Sequence, residues 1–253
     1  MIRMIVTDLD GTFLRNDKTA SDHTLEVVEK VREKGVIFAV ATARPIRSVV
    51  ERLPFIKFDV GIFHNGAVIR TPDGDIGGMG IENPDVIARN ILREYPEACI
   101  SVESDDVLYC NFDSRRIWPV EPYTPTDDFA CMAGKVADKI IIEAHSREEM
   151  EKYTRFMPDY AYAVLSENRI AMIMNSRATK INAIRAVAEK YGIDMAEVAA
   201  FGDDYNDIDM LKGVGVGIAM GNALPEVKAV ADEVCESNMD DGEAKWIEEN
   251  MLK

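Results

Sequence analysis

The chain has 253 residues, enough for one large domain or two small ones, and its hydrophobic content of 47% can supply a sizeable core. The formal net charge of −16, with no long basic run, argues against a nucleic-acid backbone as the ligand. No stretch reaches the length of an apolar membrane span, which argues against a membrane-embedded protein.

The N-terminus has the pattern of a strand rather than of a signal peptide. The four cysteines show no CxxC spacing, which favours reduced, structural thiols. We therefore expect a cytoplasmic protein, and a monomer or a homodimer.

The first predicted strand, over residues 2–7, is apolar and ends at two carboxylates, Asp8 and Asp10. On an extended backbone these two side chains face the same side, and Gly11 then allows the chain to turn. Acids at the carboxyl end of a buried strand lie where an open α/β sheet places its ligand crevice. An isolated Asp-x-Asp pair is more often a solvated loop, so this interpretation depends on residues further along the chain.

Strands and helices then alternate, which predicts a parallel sheet with crossover helices. The predicted elements are a helix over 21–34, a strand over 36–41, a helix over 47–52 and a strand over 58–63. The strand over 36–41 leads into Thr42 and Ala43, and the strand over 58–63 leads into His64. Pro72-Asp73-Gly74 is typical of the turn of a β-hairpin.

The pattern changes over residues 83–175, where helices and hairpin-like strands predict an α+β insert. Its predicted elements are a helix over 83–95, two strands within 99–110, an irregular loop over 118–129, a strand over 138–144, a helix over 146–157 and strands over 160–165 and 169–174. Ser146 and Glu149 have the spacing of a capping box. We expect this insert to form a cap domain that acts as a lid and sets specificity.

From residue 179 the alternation returns, with a helix ending at Gly192 and strands over 198–201 and 214–219. The predicted fold class is α/β: a Rossmann-like, doubly wound parallel-sheet core formed by residues 1–82 and 176–253, with the insert between them.

Four separated segments of this core carry complementary chemistry at strand ends or at a helix start. They are Asp8 with Asp10, Thr42 with Ala43, Lys180, and Asp203 with Asn206 and Asp207. Acids can hold a hard cation such as Mg²⁺, whereas a hydroxyl, backbone N–H groups and a lysine can hold phosphate oxygens. A lysine at a helix start opposes the helix dipole, which favours an anionic partner.

These segments, in this order, resemble the motifs of the magnesium-dependent phosphatases of the haloacid dehalogenase superfamily. The position and length of the insert, together with Met220-Gly-Asn-Ala, resemble the Cof-type subfamily, whose members carry a large α/β cap. Glycine is common in the family where this chain has Ala43, but only the backbone N–H is needed there. The resemblance implies that a small phosphorylated metabolite is the partner, and that neither nucleic acid nor membrane is.

The resemblance implies a role for each matching residue. Asp8 is the nucleophile and a metal ligand, and Asp10 is the general acid and base, with its backbone carbonyl on the metal. Asp203 is the third protein ligand. The residues implied to hold the substrate phosphate are Thr42, Ala43, Lys180 and Asn206. Asp207 is expected to support Lys180. Because Asp10 must be protonated when it meets the leaving oxygen, neighbouring carboxylates that raise its pKa would help it in this role.

Three other functions stay open: a phosphomutase, a dehalogenase, and a catalytically silent phosphometabolite-binding regulator. The acid at position 10 and the metal set argue against a dehalogenase, and the intact acids and Lys180 argue against a silent regulator. Sugar phosphates, pyridoxal phosphate and nucleotide or flavin monophosphates are all candidate substrates. Whether His64, Trp118 or Tyr123 touches the substrate is left open.

Overall fold

The computed structural model describes residues 1–166 and 168–253, which form two units. The first unit consists of Met1–Gly78 and Thr179–Lys253, and the second consists of Met79–Ala178. Among the described residues, every helix is too short or too polar to cross a bilayer.

The first unit begins with alternating strands and helices. Its elements up to Gly78 are β1 (Met4–Thr7), α1 (Asp22–Glu33), β2 (Ile37–Ala41), α2 (Ile46–Val50), β3 (Val60–Phe63), β4 (Val68–Thr71) and β5 (Gly74–Ile76). Ser21 caps α1, since its hydroxyl accepts a hydrogen bond from the backbone N of Thr24 at 3.0 Å. Gly35, with φ of +80°, then reverses the chain towards β2.

The second unit is an α+β structure, as predicted. Its elements are β6 (Ile81–Glu82), α3 (Pro84–Glu94), β7 (Ile100–Ser104), β8 (Val107–Cys110), β9 (Thr124–Pro125), β10 (Val136–Ala137), β11 (Lys139–Glu143), α4 (Arg147–Thr154), β12 (Ala161–Ser166) and β13 (Ile170–Asn175). One sheet has the order β12-β13-β11-β7-β8-β9 and is antiparallel except for the β8–β9 pair, and β10 pairs with β6.

Some sequence-based predictions differ from the structure in detail. The helix expected over 47–52 lies at Ile46–Val50, and the loop expected over 118–129 contains the short strand β9. Helix α4 ends at Thr154 rather than at residue 157. The Thr154 hydroxyl donates to the backbone oxygen of Glu151 at 2.9 Å, a local bond of the kind that competes with continued helix.

The chain returns to the first unit at Thr179. The remaining elements are α5 (Lys180–Tyr191), β14 (Val198–Gly202), α6 (Ile208–Gly213), β15 (Val216–Ala219), α7 (Pro225–Lys228), β16 (Glu233–Val234) and α8 (Gly242–Ile247). The α8 helix continues into a π-helical turn over Glu248–Leu252.

The sheet of the first unit has the order β16-β15-β14-β1-β2-β3-β4-β5. The strands from β16 to β3 run parallel, and β4 and β5 are antiparallel additions at one edge. Strand β1 pairs with β2 on one side and with β14 on the other, so the winding direction changes at β1. This confirms the predicted parallel α/β core, and such a reversal is where open sheets of this class place a ligand crevice.

Strand β1 is completely buried within the first unit. All four of its residues have an exposed fraction of 0%. Truncating one buried aliphatic side chain in such a core costs about 2–5 kcal/mol of folding free energy. The polar residues that follow β1 therefore leave from a rigidly held strand.

Candidate active site

Three parallel strands deliver polar side chains to one edge of the sheet. Asp8 follows the last residue of β1, Thr42 follows that of β2, and Asp203 follows that of β14. Since β1 pairs in parallel with both other strands, their carboxyl ends lie side by side. Asp203 lies far from Asp8 and Thr42 in the sequence, and the topology brings the backbones of all three residues together.

Lys180 is the first residue of α5 and is 2% exposed. Its Nζ donates to Asp8 Oδ1 at 2.6 Å and to Asp207 Oδ1 at 2.7 Å. Burial lowers the pKa of this lysine, but the two carboxylates outweigh that effect and the pKa is raised above its usual value. Lys180 is therefore a charged group that links the loop after β1 to the loop after β14.

Asp8, Asp203 and Asp207 form an acidic cluster in which one carboxylate oxygen of each lies within 4.8 Å of the others. Burial raises the pKa of Asp8 to about 7, against the lowering effect of Lys180. Burial also raises the pKa of Asp203 to about 6, although the hydrogen bond from Thr12 opposes this. An all-oxygen donor set whose charges disfavour one another fits a hard divalent cation, which would relieve that repulsion.

The carboxylate of Asp203 is positioned by the turn after β1. Thr12 Oγ1 donates to Asp203 Oδ1 at 2.7 Å. Gly11 has φ of +88°, and a Cβ on it would lie 2.3 Å from Asp203 Oδ2. Glycine is thus required at this position both for the backbone conformation and for the approach of the carboxylate.

Asp207 is fully buried and fastens the loop after β14. Its Oδ2 accepts hydrogen bonds from the backbone N of Asp203 at 2.9 Å and of Asp204 at 3.1 Å, while its Oδ1 accepts from Lys180. A Cβ on Gly202 would lie 2.5 Å from the Cβ of Asp207. The contact of Asp207 with both the loop and Lys180 is compatible with the supporting role expected for it.

Asp10 lies apart from the acidic cluster, in an ion-paired position. Arg44 donates from Nε to Asp10 Oδ2 and from Nη2 to Asp10 Oδ1, both at 2.6 Å, and Lys18 Nζ donates to Oδ1 at 2.7 Å. Burial would raise the pKa of Asp10, but the hydrogen bonds from Arg44 and Lys18 outweigh it and the pKa is lowered. The rise in pKa that would help Asp10 to act as an acid is therefore not found in this arrangement, in which two cations contact its carboxylate.

The loop after β2 begins with a hydrogen-bonded turn at Thr42. Thr42 is buried, its Oγ1 accepts from the backbone N of Arg44 at 3.2 Å, and Ala43 is exposed. The backbone N of Asn65 donates to Thr42 O at 2.9 Å, and Asn206 Nδ2 donates to Asn65 Oδ1 at 3.2 Å. These bonds join the loops after β2, β3 and β14 into one rim.

Three residues whose contact with substrate was left open lie in different surroundings. His64 is 2% exposed and has a positive φ of 49°. Trp118 and Tyr123 are partly buried within the second unit, where the Tyr123 hydroxyl donates to Asp113 Oδ1 at 3.4 Å. A role of these residues in substrate binding stays untested.

A family profile described as haloacid dehalogenase-like hydrolase matches residues 5–247 of the chain. This chain belongs to that family. The predicted superfamily, the Cof-type branch and the phosphatase class of enzyme are confirmed.

Named relatives of this hydrolase cover nearly its whole length. The 5-amino-6-(5-phospho-D-ribitylamino)uracil phosphatase YitU of Bacillus subtilis is 27% identical, over 97% of this chain and 96% of its own. The HMP-PP phosphatase of Cronobacter sakazakii is also 27% identical, over 90% of this chain and 88% of its own. The crystal structure of TM0651 from Thermotoga maritima superposes with a TM-score of 0.87 at 26% identity, over 98% of this chain and 97% of that one.

Sequence reasoning missed three residues that contact the motif residues of this hydrolase, and a fourth that contacts one of those three. Lys18 contacts Asp10, and Thr12 contacts Asp203. Thr7, the residue before Asp8, contacts the backbone oxygen of Asp8 and also Glu243. Thr12 follows Asp10 and Gly11 in the sequence and could have been found from that proximity. Glu243 gave no signal, because a glutamate after Asp241-Gly242 has the pattern of an exposed helix start.

Glu243 is nevertheless 2% exposed. Its Oε2 lies 2.7 Å from Thr7 Oγ1, at the last residue of β1. Burial raises the pKa of Glu243 to about 8 against the lowering effect of Thr7, and the negative charge of Asp8 adds to the rise. The hydrolase thus has a buried carboxyl group beside Thr7, the last residue of β1.

Proposed function

We propose that this hydrolase is a Mg²⁺-dependent phosphatase that cleaves small phosphomonoesters through an aspartyl-phosphate intermediate on Asp8. The observation that carries the proposal is the pair formed by Asp8 and Lys180, in which a buried ammonium group holds one oxygen of the carboxylate at 2.6 Å. An anionic nucleophile needs such a cation beside it in order to approach a dianionic phosphate ester.

In the first half of the proposed reaction, a carboxylate oxygen of Asp8 attacks phosphorus and the bond from phosphorus to the leaving oxygen breaks. Asp10 gives its proton to that leaving oxygen. In the second half, Asp10 accepts a proton from water, the water oxygen attacks phosphorus, and the bond from phosphorus to Asp8 breaks. Inorganic phosphate leaves and both carboxyl groups return to their starting states.

The remaining motif residues bind and orient the phosphate group in this proposal. Thr42 and the backbone N–H of Ala43 donate to phosphate oxygens, Lys180 neutralises them, and Asn206 supplies a further amide donor. Ala43 and Asn206 are exposed, whereas Thr42 and Lys180 are buried. This difference in exposure supports the roles assigned to these residues.

The donor set fits Mg²⁺, which prefers carboxylate and carbonyl oxygens. The carboxylates of Asp8 and Asp203 and the backbone carbonyl of Asp10 would hold it. When bound, Mg²⁺ would neutralise charge on the phosphoryl oxygens and on the nucleophile. The raised pKa values of Asp8 and Asp203 support the need for a cation there.

The substrate class is inferred from chemistry and from relatives. The names of YitU and of the Cronobacter enzyme describe phosphatases of small phosphorylated metabolites. We therefore propose a substrate of that size, with sugar, pyridoxal, nucleotide and flavin monophosphates all in the candidate set. Three points stay predictions. They are that the second unit sets the substrate selectivity, that the protein is cytoplasmic, and that it is a monomer or a homodimer.

The test is a measurement of phosphate release across a panel of these monophosphates with Mg²⁺, with Mg²⁺ removed by a chelator, and with Mg²⁺ restored. Release is expected only when Mg²⁺ is present, and Asp8→Asn should abolish it. Asp22→Asn is the matched control, since it makes the same chemical change at an exposed position in the first turn of α1. Transfer of phosphate between substrate positions without its release would instead indicate a phosphomutase.

A further inference from the structure

The hydroxyl of Thr7 lies between two oxygen atoms. Thr7 Oγ1 is 2.8 Å from the backbone oxygen of Asp8 and 2.7 Å from Glu243 Oε2. Both Thr7 and Asp8 are buried, and Thr7 has an exposed fraction of 0%. These distances are typical of hydrogen bonds between oxygen atoms, so each contact requires a hydrogen atom.

The number of hydrogen atoms available for these two contacts determines the protonation state of Glu243. The threonine hydroxyl carries one hydrogen, and the backbone oxygen of Asp8 carries none. If Glu243 were ionised, two acceptors would compete for that one hydrogen, and one short contact would join two lone pairs. If Glu243 carries a proton, it donates to Thr7 Oγ1, and Thr7 donates to the oxygen of Asp8.

The surroundings of Glu243 favour the neutral form. Within residues 1–166 and 168–253, no lysine, arginine or histidine pairs with it, and its Oε1 accepts no hydrogen bond. The charged group that acts on it is Asp8, which has the same sign. An ionised carboxylate buried without a partner is strongly disfavoured, whereas a neutral acid with one good hydrogen bond is tolerated.

The helix that carries Glu243 is fixed against the sheet. Trp246 packs edge-on against Phe201 of β14, with ring centroids 5.4 Å apart, and Ile247 is fully buried. Phe201 is the β14 residue paired with Thr7. The packing of helix α8 on the sheet therefore fixes the position of Glu243 next to the end of β1.

We propose that Glu243 is a positioning residue that stays protonated at neutral pH and, through Thr7, fixes the backbone carbonyl at Asp8. The proposal rests on the proposed role of Asp8 as nucleophile. A neutral acid holds this carbonyl without adding negative charge behind a carboxylate that must meet a phosphate dianion. The orientation of the attacking group is then set by a chain of two hydrogen bonds that begins in α8.

The protonation state can be measured without any substrate. An infrared difference spectrum between the wild type and Glu243→Gln at pH 7 should contain the carbonyl stretch of one protonated carboxylic acid. Glu249→Gln, which changes an exposed glutamate of the adjoining turn, is the control and should not show that band. Absence of the band in the Glu243→Gln difference spectrum would overturn the proposal.

The positioning role is tested by comparing two variants at the same site. Glu243→Gln keeps a neutral side chain with a donor and should stay within a few-fold of the wild-type kcat. Glu243→Leu removes the donor and should lower kcat by about 10- to 100-fold with little change in KM, because the nucleophile is misplaced rather than the binding site lost. Equal losses in the two variants would overturn the role.

Thr7→Val removes the middle hydroxyl and should lower kcat to the same extent as Glu243→Leu. Thr71→Val is the matched control, since it removes another buried hydroxyl that donates to a backbone carbonyl, that of Gly74. The carbonyl ¹³C signal of Asp8 should shift in Thr7→Val and Glu243→Leu but not in Glu243→Gln. An unshifted signal in both would overturn the proposal even where activity had fallen.

These measurements separate the two proposals. A wild type that releases no phosphate would contradict the proposed function. The infrared band would still show whether Glu243 is protonated, and the ¹³C signal would still show whether it acts on the carbonyl of Asp8.

Discussion

Arg44 and Asp10 form a two-point ion pair, in which the guanidinium Nε and Nη2 each lie 2.6 Å from a different carboxylate oxygen of Asp10. A planar, bidentate pair of this kind is the strongest arrangement that arginine makes with a carboxylate. It holds Asp10 ionised, whereas the proposed role requires Asp10 to carry a proton when it meets the leaving oxygen. Loosening of this pair when substrate binds would therefore be part of the catalytic cycle.

Replacement of Arg44 should raise the pKa of Asp10. In Arg44→Gln the guanidinium that favours the ionised form is gone, while burial, which favours the neutral form, persists. The measurement is a ¹³C NMR titration of the Asp10 carboxyl carbon in the wild type and in the variant. Arg3→Gln, which breaks the exposed pair of Arg3 with Glu197, should leave the midpoint unchanged. A midpoint for Arg44→Gln at or below that of the wild type would contradict this account of the site.

Asp10→Asn should affect substrates according to their leaving groups. An alkoxide needs a proton when it departs, whereas nitrophenolate scarcely does, so hydrolysis of an alkyl phosphate should fall further than that of nitrophenyl phosphate. The loss on the alkyl substrate is expected to reach roughly 10²–10⁴-fold. The ratio of kcat/KM for the two substrates gives the answer, and an unchanged ratio would rule out Asp10 as the general acid.

Gly11→Ala should weaken metal binding. The new Cβ would lie 2.3 Å from Asp203 Oδ2, so this carboxylate must move from its place in the acidic cluster. The dissociation constant for Mg²⁺, measured by calorimetry, should rise. Gly35→Ala is the matched control, because Gly35 has a similar φ of +80° and nothing within 4 Å of the added atom. It should cost about 1–3 kcal/mol of stability through backbone strain and leave the Mg²⁺ affinity alone. Equal affinity in the two variants would show that Asp203 does not bind the metal.

Glu243 should make the protein less stable as the pH rises. Its pKa is raised in the folded state from 4.5 to about 8, so between these values the folded protein binds the extra proton. The contribution is complete below pH 4.5 and is lost as the pH rises through about 8. Denaturant unfolding across this range gives the free energy of unfolding at each pH. This free energy should fall with pH more steeply for the wild type than for Glu243→Gln, by up to about 1.4 kcal/mol per pH unit. Glu249→Gln should keep the wild-type slope, and parallel curves for the wild type and Glu243→Gln would contradict the protonated state.

The sequence was sufficient to predict the parallel core, because its signals are local. Each strand is a short apolar run that ends at a polar residue, and Ser21 before α1 carries its own capping signal. Parallel pairing of β1 with β2 and β14 then follows from the alternation of strands and helices. The adjacency of Asp8, Thr42 and Asp203 was predictable for the same reason.

Local patterns were less reliable where two partners competed for one group. Ser146 caps α4 as expected, since its hydroxyl accepts from the backbone N of Glu149 at 3.2 Å. The Glu149 carboxylate, however, accepts from the backbone N of His145 and not from that of Ser146. Only half of the predicted capping box is therefore formed.

The contacts of Asp10 and Glu243 could not be predicted, because they depend on three-dimensional placement. Arg44 pairs with Asp10 only because of how the loops after β1 and β2 meet. Thr7 and Glu243 are 236 positions apart and meet only when α8 packs on the sheet. A pattern of residue types contains no information that this glutamate is buried.

The most direct test of the account is the mass of the peptide that contains Asp8, after turnover is stopped with acid. The wild type is expected to yield this peptide with one added phosphoryl group, and Asp10→Asn should accumulate more of it because water is no longer activated to remove the group. Asp8→Asn should yield none. Turnover in which the Asp8 peptide stays unmodified in both the wild type and Asp10→Asn, or in which another residue carries the phosphoryl group, would contradict the assignment of Asp8 as the nucleophile.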